Sequence, residues 1–247
     1  MSNTHYIIQA AGVKSLDEAQ MLAACGVTHV GLPLRLPVHA PDVSEDQARD
    51  IVRGLGHAAK TVLITYLMDA AETLELCRFL GVDGVQLHGA MPLAEVRRLR
   101  QAAPELFLIK SLVIGLGHGG GEADLTAEAQ AHAPFVDAFL TDTFDPGSGA
   151  SGATGKTHDW AVSRRLAQVL EKPLILAGGL NPGNVARAIA QVRPAGVDAH
   201  TGLENAAGDK DEGLVRRFVA EAHAALALTA AAAADLGPGL AKACDSA

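Results

Sequence analysis

The chain has 247 residues, is 49% hydrophobic and carries 28 acidic against 20 basic side chains, for a formal net charge of −8. That length and apolar content suffice for one large core, so a single domain is the default expectation. The acidic balance, with no run of Lys or Arg, speaks against nucleic acid or an anionic membrane as partner, so an anionic ligand would have to be held locally.

The opening MSNTHYIIQAAG has neither the basic start of a signal peptide nor an apolar run that could span a bilayer, which predicts a cytoplasmic product. Short runs rich in Val, Ile and Leu then recur at Tyr6–Gln9, His29–Leu32, Val62–Tyr66, Gly84–Leu87, Leu106–Leu112, Ala138–Thr141, Leu174–Ala177 and Val197–His200. Each is too short and too uniformly apolar for a half-exposed antiparallel strand, so each reads as a strand covered on both faces. Parallel strands need crossovers, and every gap is long enough for a helix.

Ser15-Leu-Asp-Glu and Ser44-Glu-Asp-Gln carry capping-box signals for the first two helices. Later helices are expected over Ala70–Leu80, Leu93–Ala102, Leu125–Ala131, Asp159–Leu170, Pro182–Gln191 and Asp211–Leu228. Cys25 and Cys77 sit inside helical patterns as small apolar residues. With Cys244 they lack the paired spacing of a zinc site or a disulfide framework, which fits a reducing compartment. Eight strand-plus-helix units in this length predict a single (β/α)8 TIM barrel over residues 1–228, with an open doubly wound sheet as the alternative. The Ala-rich stretch 229–247 reads as a C-terminal helical extension that frays into a tail.

In such a barrel the ligand site is the ring of loops beyond the strands' C-terminal ends. The residues there include Gln9, Arg35 and His39, Tyr66, Gln86 and His88, Lys110, Asp142, Gly178 with Gly179, and His200, Thr201 and Gly202. Asp142 ends a buried strand and precedes the loop DPGSGASGATGKTH. It is the first candidate for chemistry, its alternative being a side chain that merely caps a turn.

The stretch Ala177-Gly-Gly-Leu-Asn-Pro-Gly-Asn-Val185 reads as a strand, a Gly-Gly turn and a helix with Asn181 as cap and Pro182 at its first position. Backbone N–H groups at such a start bind anions, and the following strand also ends in small residues at Thr201 and Gly202. Together the two loops suggest a phosphate site. Lys110 raises a separate possibility, because a desolvated lysine can form a Schiff base with a carbonyl substrate.

At this point the chain resembles the phosphoribosylanthranilate isomerases of tryptophan biosynthesis. The likeness rests on Val85-Gln-Leu-His-Gly89, Asp142 with Gly152-Ala-Thr-Gly-Lys-Thr-His-Asp-Trp160, Leu176-Ala-Gly-Gly-Leu-Asn-Pro-Gly-Asn-Val185 and Val197-Asp-Ala-His-Thr-Gly-Leu-Glu204. Gly208-Asp-Lys-Asp211 and Phe218-Val219 extend it to nearly the whole chain except the tail. The resemblance implies a (β/α)8 barrel without cofactor, a phosphate held by the last two loops, and Asp142 as the general acid of an Amadori rearrangement; no pair of histidines and acids at the rim has the spacing that would mark a metal site.

Departures accompany the likeness. The family's first strand ends in Lys-Ile-Cys-Gly, whose cysteine is the general base, whereas this chain has Gln9-Ala-Ala-Gly12, and alanine takes no proton. The family's arginine for the anthranilate carboxylate, in a Ser-Pro-Arg pattern, is matched here by His39-Ala-Pro41. The usual Gly-Gly-Thr-Gly loop has become Gly152-Ala-Thr-Gly155, and His200 replaces a small polar residue.

The expectation is a phosphorylated-sugar enzyme, monomeric or homodimeric, with Asp142 as acid and a substrate or base different from the tryptophan-pathway enzyme. Histidine is the natural substitute base. His39 is the preferred one, His88 and His200 read rather as ligand contacts, and His118 sits in a flexible glycine loop. Gln9, Arg35, Gln86, Lys110, Gly155 and His200 complete the expected substrate contacts. The alternatives are a true phosphoribosylanthranilate isomerase with a histidine base, a phosphate-binding barrel without turnover, and a Schiff-base lyase through Lys110.

Overall fold

The apolar runs become strands because branched side chains pack well on a pleated surface buried on both sides, and the amphipathic stretches between them lay one stripe on that surface. A computed structural model describes residues 6–37, 40–115, 122–145, 150–151, 157 and 159–235. Its strands are β1 (Ile7–Ala11), β2 (His29–Leu34), β3 (Lys60–Thr65), β4 (Gly84–Leu87), β5 (Phe107–Ile114), β6 (Ala138–Asp145), β7 (Ala150–Ser151), β8 (Leu174–Leu176) and β9 (Gly196–Ala199). The helices are α1 (Leu16–Ala24), α2 (Glu45–Leu55), α3 (Ala70–Leu80), α4 (Leu93–Ala102), α5 (Glu122–His132), α6 (Trp160–Val169), α7 (Val185–Val192) and α8 (Glu212–Asp235).

Parallel ladders run in the order β5-β4-β3-β2-β1-β9-β8-β6, and pairing of β5 with β6 closes the ring, while β7 only folds back antiparallel on the end of β6. The closed barrel is thus the architecture, and the open sheet is excluded. One apolar layer lies between strands and helices, built on Leu32, Leu63, Leu87, Leu108, Phe139 and Val197 against Leu22, Leu76, Leu99, Leu166, Ile189 and Phe218. A second fills the barrel interior with Val62, Ile109, Ala138, Leu140, Ile175 and Ala177. Because side chains alternate along a strand, Ala138 and Leu140 of this plug put Asp142 on the same inward face, one step higher.

Helix starts follow the predicted caps with two differences. Ser44 and Gln47 form the full box at α2. At α1, Ser15 accepts from the Glu18 amide, but the Glu18 carboxylate takes the amides of Lys14 and Lys210 at 2.7 Å each instead of closing the box. Helix α7 begins at Val185, not at Pro182, because Asn181 to Asn184 form a turn in which the Asn184 Oδ1 accepts from the Asn181 amide at 2.9 Å. Helix α8 continues unbroken to Asp235. Among the described residues, no helix is long and apolar enough to cross a membrane.

Candidate active site

The polar residues of the barrel interior sit above the apolar plug. Gln9 and Asp198 are directly paired across β1 and β9, and Gln86 reaches Gln9 across the barrel with Gln9 Nε2 donating to Gln86 Oε1 at 2.9 Å. From Gln86 the network passes to Ser111 Oγ and His88 Nδ1, which lie 3.1 Å apart, and the His88 ring packs at 4.9 Å against Tyr66. Gln9, Gln86, His88, Ser111, Asp142 and Asp198 are all buried. Such a network fixes its members because each buried polar group needs its partner.

Among the described residues, Asp142 accepts one hydrogen bond, from the Thr143 amide at 2.7 Å. Burial pushes its carboxyl up to about 7, and that single bond lowers it only in part. It is therefore an acid that holds its proton near neutrality. Asp198 is likewise raised to about 7, first by burial and then by the charge of Asp142, with Gln9 and Lys210 opposing. Tyr66 is raised by burial and by Asp142, so it stays a neutral phenol.

The loops after β8 and β9 close over these acids. Gly178 and Gly179 both take positive φ, 92° and 62°, which a residue with a Cβ adopts only under strain. A Cβ on Gly202 would lie 1.9 Å from the Leu180 carbonyl oxygen, so the two loops touch through a position that admits only glycine. Asp142, Ala177, Gly178, Gly179, Asp198, His200, Thr201 and Gly202 line one hollow. Acid and expected phosphate loops thus share a single site at the strands' C-terminal ends.

His200 folds inward over β1, where a Cβ on Gly12 would stand 2.0 Å from its Nε2. The same Nε2 lies 3.2 Å from Glu204, and Lys210 Nζ donates to Glu204 at 2.8 Å and to the His200 carbonyl at 3.2 Å. Burial raises the Glu204 carboxyl, but hydrogen bonds from His200 and Lys210 outweigh it and hold the group at about 2.

Two expected contacts lie elsewhere. Lys110 pairs with Leu87 on the outward-facing register, and its ammonium contacts the carbonyls of Ser111 (2.8 Å) and Gly89 (3.4 Å) and Glu128 of α5 (3.4 Å). It ties strand to helix and does not enter the hollow. Arg35 adopts φ 52° beyond β2 and spends its guanidinium on Glu45 and Glu72 at the starts of α2 and α3. His39, His118 and Gly155 lie outside the described residues.

Asp198 is absent from the residues expected on the sequence, because the strand's functional end is taken there from His200 onward. The available signal is an acid inside a four-residue buried strand, the same anomaly that marks Asp142.

A larger cavity of about 530 Å³ opens at the other end of the barrel, where strands begin, lined by His29, Lys60, Cys77, Asp83 and Phe107 among others. Burial keeps His29 neutral by lowering it to about 4, and Lys60 is paired with Asp83 at 2.8 Å. None of the barrel-mouth groups reaches it.

Comparison with known proteins agrees with this geometry. The sequence pattern of N-(5'-phosphoribosyl)anthranilate (PRA) isomerase matches residues 9–221. An N-(5'-phosphoribosyl)anthranilate isomerase 2 of Methanosarcina mazei is 38% identical over 217 residues, covering 86% of this chain and 92% of the relative. The isomerase of Haloferax volcanii is 35% identical over 219 residues, covering 88% and 93%. Among solved structures, the phosphoribosyl anthranilate isomerase of Thermotoga maritima superimposes with TM-score 0.74 at 27% identity, over 89% of this chain and 100% of that one. A phosphoribosyl anthranilate isomerase in complex with reduced 1-(o-carboxyphenylamino)-1-deoxyribulose 5-phosphate gives 0.71 at 25%, with the same coverages. With its acid, its paired glycine loops and this extent of similarity, the chain belongs to the N-(5'-phosphoribosyl)anthranilate isomerase family.

Proposed function

We propose that the chain is a phosphoribosylanthranilate isomerase proper, converting N-(5'-phosphoribosyl)anthranilate to 1-(o-carboxyphenylamino)-1-deoxyribulose 5-phosphate. The observation that carries the reading is Asp142, a carboxyl raised by burial to about 7 in a hollow that the two glycine loops also line. Its support from similarity is that relatives sharing about a third of their residues along almost their whole length bear that enzyme's name. The expectation of a changed substrate rests on altered residues after β1 and β2, and nothing in those relatives favours it.

Asp142 protonates the furanose ring oxygen, the bond from that oxygen to C1 breaks, and the anthranilate nitrogen takes up the positive charge as a Schiff base. Loss of the C2 proton then gives an enolamine, which becomes the ketone. The phosphate rests on backbone N–H groups of the Gly178-Gly179 and Thr201-Gly202 loops, because the nearby Lys210 is already committed to Glu204.

The test is consumption of fluorescent phosphoribosylanthranilate by purified protein beside its Asp142→Asn variant. Turnover that falls by roughly 10²–10⁴ in the variant, the usual weight of a general acid, supports the reading. Absence of turnover in the wild type, or equal turnover in both, would sink it.

A further inference from the structure

The rearrangement needs a group to remove the C2 proton as well as one to protonate the ring oxygen, and the chain's inward residue at the end of β1 is Ala11, which can do neither. We propose that Asp198 is this base, and the assignment rests on the isomerase reading given above.

Three observations about position carry it. Asp198 lines the same hollow as Asp142 and the phosphate loops. Strand β8, which leads into the Gly178-Gly179 loop, lies between β6 and β9, so the two carboxylates flank the strand that carries the phosphate. A ribose anchored by its phosphate on that loop lies with one acid on either side. Finally, Asp198 is buried and among the described residues its Oδ1 has no hydrogen-bond partner, unlike the Oδ1 of Asp142, which accepts from the Thr143 amide. A carboxylate oxygen without a donor is uncompensated and so retains its basicity.

Among the described residues, the other titratable groups of the barrel mouth are already engaged. His88 Nδ1 faces Ser111 and Gln86, and His200 Nε2 faces Glu204. Tyr66 is a neutral phenol at working pH and begins with its proton on. Asp142 is committed to the ring oxygen.

Electrostatics supports the pairing. The charge of an ionised Asp142 raises the Asp198 carboxyl, so the pair disfavours the state in which both are ionised. One acid and one base is the distribution the reaction requires at its start. The amide of Gln9 and the charge of Lys210 favour ionisation at Asp198, whereas the Thr143 amide is the sole such influence on Asp142.

In the step itself, Asp198 takes H⁺ from C2, the C–H electron pair forms C1=C2, and the C1=N electrons return to the anthranilate nitrogen. The enolamine becomes the ketone when C1 gains a proton and the C2 hydroxyl loses one, which leaves the net protonation of the pair unchanged. No oxidant or further reactant enters.

The experiment measures steady-state turnover of phosphoribosylanthranilate from pH 5 to 9, and binding of reduced 1-(o-carboxyphenylamino)-1-deoxyribulose 5-phosphate, for wild type, Asp198→Asn and Asp198→Glu. In Asp198→Asn, turnover at saturating substrate should slow by roughly 10²–10⁴ while analogue affinity stays within about threefold, and the acid-side limb of the pH profile should disappear. Asp198→Glu should recover part of the lost rate. A C2-deuterated substrate should also show a larger isotope effect in Asp198→Glu than in wild type, since a displaced base slows that step alone. If Asp198→Asn keeps more than a tenth of the wild-type rate with its acid limb intact, the assignment falls and the isomerase reading stands. Loss of analogue binding in both variants would make Asp198 a structural residue and equally overturn it. A wild type without turnover would remove the isomerase reading and this assignment together.

Discussion

At the scale of single residues, the site depends on positions where one added methyl group is decisive. The Gly202 Cβ would meet a backbone carbonyl at 1.9 Å, and a backbone cannot swing aside as a side-chain tip can. Gly202→Ala should therefore separate the β8 and β9 loops, cost about 1–3 kcal/mol of stability as an overpacked substitution, and weaken binding of the reduced product analogue by at least about tenfold. Calorimetric binding and thermal melting check this together. Gly12→Ala is a contrasting case, since its Cβ would meet the His200 ring at 2.0 Å and that ring can rotate away. Its expected cost is dominated by the φ of 76°, about 1 kcal/mol.

The two acids show what a sequence discloses at this scale. Asp142 is legible because it interrupts an apolar run and precedes a glycine loop. Asp198 interrupts an equally apolar run, but its pairing with Gln9 from the far end of the chain exists only once the ring closes. Lys110 misleads for the reverse reason: being at a strand's end says nothing about which face a side chain takes, and the alternation along β5 turns it toward α5.

At the scale of elements, caps and crossovers are readable because their signals are local. The starts of α2, α3 and α6 are set by Ser44, Asp69 and Asp159, each accepting an amide within its first turn. The start of α7 is harder to place because a Pro at the first helical position and an Asn-Pro turn look alike in sequence, and here the Asn184 side chain's bonds to Gly179 and Asn181 favour the turn. By its spacing the Glu18 carboxylate should close its own helix's box, whereas it joins the Lys14 amide to the Lys210 amide. Glu18→Ala would leave both partly buried amides without acceptors and should lower stability by about 1–3 kcal/mol, well beyond an ordinary cap. Denaturant melts would show this as a lower midpoint with an unchanged slope.

For the molecule as a whole, two opposite pH dependences are built in. Asp142 and Asp198 hold their protons in the fold to about 7, whereas an unfolded aspartate loses its proton near 3.8. Between those values the native state binds more protons than the unfolded one, so their contribution to stability declines as pH rises from about 3.8 through 7 and changes no further above that. Asp142→Asn should accordingly be more stable than wild type at pH 8, by roughly 1–3 kcal/mol and several degrees of Tm, with the gap closing at pH 5. Glu204 acts in the other direction. Held at about 2 against 4.5 unfolded, it contributes stability above pH 4.5 that is lost as pH falls toward 2. Melting temperatures from pH 3 to 9 for wild type, Asp142→Asn and Glu204→Gln separate the two.

The ladder between β1 and β9 and the Glu18 bridge join residues about 190 positions apart in sequence. On a ribosome, the first seven units of the chain can emerge and begin to gather their helices while the mouth still lacks Asp198, Thr201, Gly202 and His200. A nascent chain halted short of β9 therefore leaves Gln9 and the edge of β1 unpaired on that side, with only the first of the two glycine loops and no second acid. Ring closure and the completion of the mouth are one event, and it waits for β9.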